Sequence, residues 1–210
     1  KYADRRLPHF PYSLVARTHY DPPRARKFSL TPWVATSGNK EVYVGHVEVR
    51  TAGRQDLIEI GRLAHEVWWE SYSGLVTSET INLVLDAEYS PSVIAERLLK
   101  HFCFMAVEDG ETVGFAEGVP GEDRVILETL HCRAGGNLEV GRRLVDRMHS
   151  LAPELPMCSD IALGHLAAEA FFESIGFSPG EVIEEQIAGE PIVRRRWWLP
   201  GIAPAALRYS

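Results

Sequence analysis

Read as a pattern of apolar and polar positions, the chain becomes regular from residue 41 onward. "EVYVGHVEVR", Glu41 to Arg50, alternates with the period of a half-buried strand. Leu57, Ile60, Leu63, Ala64 and Val67 then fall on one helical face, and Asp56 with Glu59 three later makes a capping-box pattern at its start. That helix is expected to end near "WWESYSG". A second follows Ser78, and a third opens at "SPS" with Ser90 as N-cap and Pro91 in the first turn. "FCFMAVEDGETVGFAEG" predicts two strands about the Asp109-Gly110 turn, and "DRVILETLHC" a further strand. Val140, Leu144, Val145 and Met148 mark a helix, "PMCSDIAL" a strand, and "HLAAEAFFESIGF" a helix that stops near Gly176. "EVIEEQI" and "IVRRRWWL", joined near Gly189, close the chain as two strands, the second read as an edge strand with a protected outer face. The expected architecture is α/β: a mixed, mostly antiparallel central sheet with helices on both faces.

The first forty residues differ in kind. They carry Pro8, Pro11, Pro22, Pro23 and Pro32 and no sustained periodicity, so residues 1–45 are expected to be an irregular extension, 46–200 one domain and 201–210 a tail. Phe10, Tyr12, Tyr20, Phe28 and Trp33 are too many aromatics for a solvated tail, so part of the extension is expected to dock. Residues 1–40 hold eight Lys/Arg against two acids, +6, which leaves −13 on the remainder of a chain whose net charge is −7. An acidic body argues against nucleic acid as its partner, and a basic arm beside it can lie on its own domain or on the second subunit of a homodimer. An arm that binds nucleic acid, or a transit peptide, is the alternative.

No apolar stretch approaches a membrane span, and no secretory leader is visible. Three cysteines without a CxxC pair, and eight histidines without ligand spacing, point to a reduced, cytoplasmic protein with no metal site. There is no G-x-S-x-G elbow and no Cys/His pairing of the kind that makes a covalent intermediate.

"HCRAGGNLEVGRRL", His131 to Leu144, reads as a strand end, a glycine-bearing loop and a helix start. Free N–H groups and the positive dipole end make such a place an anion site. Asn137 is equally a good N-cap, and Glu139 in the first turn suits the dipole. If the Glu139 carboxylate faced a phosphate it would cost on the order of 4 kcal/mol at ~4 Å, more than the ~0.3–1 kcal/mol a helix end usually returns. If it turns outward, the amides stay available, and Arg142 and Arg143 add positive charge.

Four stretches together resemble the GNAT superfamily of acyl-CoA-dependent N-acetyltransferases, over roughly Val47 to Leu199. They are "VEVRTAGRQDLIEIGRLAHEVWWESY", "FMAVEDGETVGFAEG", "LETLHCRAGGNLEVGRRLVDRM" and, most specifically, "GHLAAEAFFESIGF". The resemblance implies a GNAT-like fold and transfer of an acetyl group from acetyl-CoA, with no metal, to a primary amine on a small molecule or peptide. It implies that Leu130, His131 and Cys132 bind the acetyl and pantetheine portion through backbone groups. It also implies that Asn137, Leu138, Glu139, Val140, Gly141 and Arg142 form the pyrophosphate loop. The family's Q/R-x-x-G-x-G/A keeps only its last glycine, Gly141; Gly136 replaces the polar first residue and Glu139 the first glycine. The closing motif departs twice, with His165 for its cofactor-contacting Asn and Phe172 for the Tyr that often protonates the leaving thiolate.

Direct attack by an amine requires a proton acceptor and a holder for the oxyanion. Glu128 and Asp160 are the candidate bases, each equally a candidate salt-bridge or hydrogen-bond partner, and a water-relayed proton path with no dedicated base is the alternative. Strand alternation places Glu128 with Leu130 and Cys132, and a bulge would shift that parity. His165 is the candidate acid or a helix cap. Cys132 reads as a core thiol and His131 as a packed or hydrogen-bonded ring. Trp68, Trp69 and Tyr72 are placed at the acceptor pocket, with Tyr72 positioned to orient an amine and one of the two Trp facing the core. The joint loss of the loop glycine, the Asn and the Tyr leaves open a catalytically impaired binding or structural protein, or an enzyme using a different acyl-CoA.

Overall fold

The computed structural model describes residues 47–133 and 138–202; the extension before Val47, the loop 134–137 with Asn137, and the tail from residue 203 lie outside the described residues. Seven strands and five helices run in the order β1 (Val47–Thr51), α1 (Leu57–Tyr72), α2 (Ser78–Glu88), α3 (Pro91–Lys100), β2 (Phe102–Glu108), β3 (Glu111–Pro120), β4 (Val125–Cys132), α4 (Leu138–His149), β5 (Met157–Ala162), α5 (Leu166–Ser174), β6 (Ser178–Ile187) and β7 (Glu190–Leu199). The strands form one sheet in the order β1-β2-β3-β4-β5-β7-β6. Every neighbouring pair is antiparallel except β4 and β5.

Local chemistry explains most of these elements. Both tight hairpins use two positive-φ residues, Asp109 (51°) with Gly110 (85°), and Ala188 (47°) with Gly189 (87°), the backbone that matches strand twist. Ser90 and Pro91 open α3 as expected, and Gly176 (φ 98°) ends α5. Asp56 occupies the N-cap position of α1 but its carboxylate does not cap that helix. It turns back to accept from Gly53 N at 2.8 Å and from both Nη atoms of Arg50, while Glu59 pairs with Arg62. The strong cation on β1 outcompetes the helix amides for the same oxygens. The strand holding "RRRWW" is not an edge: β7 lies between β5 and β6, and β6 is the edge. Its charges misled because they are compensated within the sheet.

The two faces bury different things. Helices α4 and α5 cover one face through Val125, Leu127, Val140, Leu144, Met148, Phe172 and Phe177. α4 lies close because β3 presents glycines there: a Cβ at Gly118 would fall 2.5 Å from Met148 Sδ and one at Gly114 2.7 Å from Val140 Cγ1. Helices α1 to α3 cover the other face with two apolar clusters, one under α1 and α3 about Leu63 and Phe115, one under α1 and α2 about Trp68 and Ile192.

A buried ion pair lies in this second face. Arg97 of α3 donates from Nε to both oxygens of Glu117 on β3 at 2.9 Å and from Nη1 to Glu88 O at 2.7 Å, and His101 Nδ1 contacts the same carboxylate. Burial alone would raise the Glu117 pKa, but the Arg97 hydrogen bonds and charge hold it below the usual range. A carboxylate depressed on folding stabilises above its unfolded pKa and loses that contribution as pH falls through the folded value. Glu117→Ala is therefore expected to cost about 3–5 kcal/mol by urea unfolding at neutral pH, because Arg97 stays buried and charged. The cost should shrink on acidification into the range where Glu117 itself protonates.

Candidate active site

The sheet opens at its centre. The β4–β5 ladder has two pairs only, Val125–Met157 and Ile126–Cys158, although β4 runs on to Cys132 and β5 to Ala162. Just past the last pair Ser159 Oγ donates to Leu127 O at 2.9 Å, a side chain taking over where the backbone ladder stops. Beyond it the two strands diverge into a wedge.

A bulge sits at the same level. Glu117 pairs with Thr129 and Gly118 with Leu127, so Glu128 is the extra residue of β4. Val125 and Leu127 before it, and Leu130 and Cys132 after it, all pack on the α4–α5 side. Glu128 does not share the alternation of Leu130 and Cys132. It is exposed, and close enough to Cys158 for its charge to raise that thiol's pKa. Cys158 precedes Asp160 by two on β5, so both lie on the α1–α2 side, and Glu128 belongs with them.

The other candidates are placed as follows. Asp160 accepts from Arg196 Nε at 2.7 Å and Nη2 at 2.8 Å; Arg196, only 1% exposed, also donates to Glu181 at 3.1 Å. Asp160 is thus one half of a bidentate pair that ties β5 to β7. His165 is the N-cap of α5, its Nδ1 accepting from Ala168 N at 3.3 Å. That bond needs the Nδ1 lone pair, and burial lowers the ring's pKa, so the ring is held neutral with its proton on Nε2. Tyr72 stacks on Trp68 at 4.2 Å and meets His165 edge-on at 5.9 Å, so α1 reaches across to the start of α5. Burial raises the Tyr72 pKa and keeps its hydroxyl protonated. Trp68 is the buried member of the Trp pair, and Trp69 is half-buried against the same cluster.

On the helix side, Glu139 turns to Arg143, whose Nε is 3.0 Å away and whose Nη1 donates to Val47 O at 2.7 Å. The pair lies at the surface and fastens α4 to β1. Arg142 is the half-buried cation of this turn, and Leu138, the first residue of α4, is exposed. Val140 and Gly141 face inward. A Cβ on Gly141 would fall 2.7 Å from Phe171 Cζ and 3.4 Å from Cys132 Sγ, so this glycine is required for α4 to meet α5. Phe172 is 3% exposed in the core beside Phe177. Burial pushes the Cys132 thiol up to about 12 and the His131 ring down to about 3, so both are neutral near pH 7. Neither suits a nucleophile or an acid.

Missed by the sequence reading are Ser159, which marks where the wedge begins, and Arg194 and Arg196. Also missed is Glu190, whose carboxylate accepts from Thr77 N at 3.0 Å and Thr77 Oγ1 at 2.8 Å, clamping the β6–β7 turn to the α1–α2 loop. The signal for the arginines was three consecutive cations in an otherwise apolar strand.

From Glu128 to Cys132, β4 has no ladder on its β5 side and offers backbone groups along the wedge, and the first turn of α4 offers N–H groups that no intrahelical carbonyl takes. Among the described residues no group of three or more His, Cys, Asp or Glu could hold a metal ion, and no helix is long and apolar enough to cross a membrane.

This is the fold of the GNAT N-acetyltransferases. PaiA N-acetyltransferase from Thermoplasma acidophilum, solved with coenzyme A, matches with a TM-score of 0.60 at 18% identity, over 71% of this chain and 98% of its own. A GCN5-related N-acetyltransferase from Rhodopseudomonas palustris matches with a TM-score of 0.64 at 19% identity, over 79% and 100%. A probable acetyltransferase from Staphylococcus epidermidis gives 0.59 at 20%, over 73% and 98%. At these identities the likeness is one of fold. No protein-family model and no curated protein matches the sequence.

The packing reading of Gly141 is testable. Gly141→Ala should cost about 1–3 kcal/mol in thermal or urea unfolding, and most of that cost should vanish in a Phe171→Ala background, a coupling a double-mutant cycle measures directly.

Proposed function

We propose that the protein transfers an acetyl group from acetyl-CoA to a primary amine by direct attack within the β4–β5 wedge. The observation that carries this reading is the coincidence of the ladder's end, the bulge at Glu128 and the first turn of α4 around one cleft. The wedge receives the pantetheine arm, and the α4 turn faces the diphosphate, with Glu139 drawn aside by Arg143. Leu138, Val140 and Arg142 complete that turn, with Gly141 serving helix packing.

Each residue's part follows from its surroundings. Glu128, exposed on the acceptor side, takes the proton that the amine loses as its nitrogen bonds to the thioester carbon. Amides of β4 past the bulge are offered to the carbonyl oxygen as it gains charge. Asp160 is a positioning residue, because its oxygens are committed to Arg196. His165 holds the start of α5 and presents an Nε2–H, and Tyr72 and Trp69 border the acceptor. Phe172 has no proton to give and stands in the core, so the thiolate departs unprotonated, a competent leaving group because a thiol's ordinary pKa is only about 8.5. That feature also favours the second reading, a protein of this fold that binds the coenzyme without turnover.

Two variants separate these roles. Glu128→Gln should lower kcat by about 10²–10⁴ with the thermal midpoint unchanged, measured by thiol release across a panel of primary amines. Asp160→Asn should instead lose about 2–3 kcal/mol of stability, since it leaves part of the Arg196 guanidinium unbonded. If Glu128→Gln turns over at the wild-type rate, Glu128 is not the base; if no amine releases thiol with the wild-type chain, the binding-only reading takes its place.

A further inference from the structure

Two arginines on the same face of β7 live in opposite circumstances. Arg196 is saturated by Asp160 and Glu181. Arg194, two residues before it, has a side chain 24% exposed and a buried Nε–H without a hydrogen-bond partner. Its ion-pair contact is loose: Nη1 stands 3.7 Å from Glu185 Oε2, beyond hydrogen-bond length. A guanidinium stays charged at any pH a protein survives, and burying one of its N–H groups without a hydrogen bond is costly. Such a group calls for an explanation, and a bound anion is one of the kinds that supplies it. Other buried arginine nitrogens, the Nε of Arg195 among them, are likewise without a hydrogen bond, and what sets Arg194 apart is its place.

Its position makes the cost intelligible. Arg194 pairs in register with Ala162, the last residue of β5. Since β4 and β5 start in step at Val125 and Met157, and β4 gains one residue at its bulge, Ala162 stands level with Leu130 and His131. Arg194 is therefore level with the proposed reaction centre, on the strand beyond β5 and across the wedge from β4. It lies on the α1–α2 side, with Ala162 and Ile192, and its charge reaches the Tyr72 phenol.

We infer that Arg194 binds a carboxylate carried by the acceptor, with Nε–H and one Nη–H as the two prongs, so that the acceptor class is amino-acid-like: an amine and a carboxylate on one small molecule. This rests on the transfer reading for the amine, and for the carboxylate on the unpartnered Nε–H of Arg194 and its loose contact with Glu185. The planar fork matches a carboxylate in a way a lysine ammonium does not. Glu185 holds the fork loosely enough to be displaced.

The test uses the full chain and two neutral-amide probes, N-acetyl-L-alanine and N-acetyl-L-alaninamide, in titration calorimetry at low salt. The acid is expected to bind about ten- to a hundredfold more tightly than its amide. Arg194→Gln should erase that preference, Arg194→Lys keep part of it, and Glu185→Gln strengthen it, with thermal melts reporting that each variant folds. Equal affinity for the two probes, binding of neither, or a preference that survives Arg194→Gln overturns the inference. Acetyl transfer separates it from the reading it builds on. If alaninamide is acetylated as well as alanine, transfer stands and the carboxylate site falls. If neither is acetylated while the binding preference follows Arg194, the carboxylate site stands and transfer to this class falls.

Discussion

The two-residue ladder between β4 and β5 is the constraint from which the rest of this molecule follows. A parallel pair is stable when its bonds continue, and here they stop at Ile126 and Cys158 although both strands go on. Three contacts keep the gap from closing or tearing. Ser159 Oγ finishes the seam at Leu127 O. The Asp160–Arg196 pair draws β5 toward β7. On the other side β3 holds β4 through antiparallel pairing up to Cys132. The wedge is thus held by bonds on its outer flanks, which leaves polar backbone facing its interior and gives an elongated ligand something to replace.

Electrostatics around the wedge are sorted by face. On the α4 side the thiol of Cys132 is uncharged, the aromatic rings of Phe171 and Phe172 fill the space beneath, and Glu139 is occupied at the surface by Arg143. On the α1–α2 side carboxylates and guanidinium groups gather: Glu128, Asp160, Glu181, Arg194 and Arg196. A thioester arm and a charged acceptor would approach the same carbon from these unlike sides. The hydrogen bonds from Thr77 to Glu190 tie the β6–β7 turn to the α1–α2 loop, the two segments proposed to border the acceptor side.

Much of the fold was legible in the residues. Asp109-Gly110, Ser90-Pro91 and the closing "ESIGF" each signal their element through local backbone chemistry, which needs no partner to be read. The bulge at Glu128 was not legible, because parity along one strand is a property of two strands in register. The same is true of "RRRWW": whether Arg196 is a solvated edge cation or a buried one depends on Asp160 and Glu181, which come from other strands. The direction of Glu139 was an open question in sequence, and an (i, i+4) partner at Arg143 decides it by ordinary helix-surface pairing. The basic extension, residues 1–45, stays an expectation, since it lies outside the described residues.

On the proposed function, the interior of the wedge accepts coenzyme A. Amide hydrogen exchange on the full chain, read by mass spectrometry with and without millimolar coenzyme A, examines that surface itself. Slowed exchange is expected in peptides spanning Leu127 to Arg133 and Leu138 to Arg142, with β1, β2 and the β6–β7 hairpin unchanged. Exchange in those two segments that is indifferent to the coenzyme would contradict it.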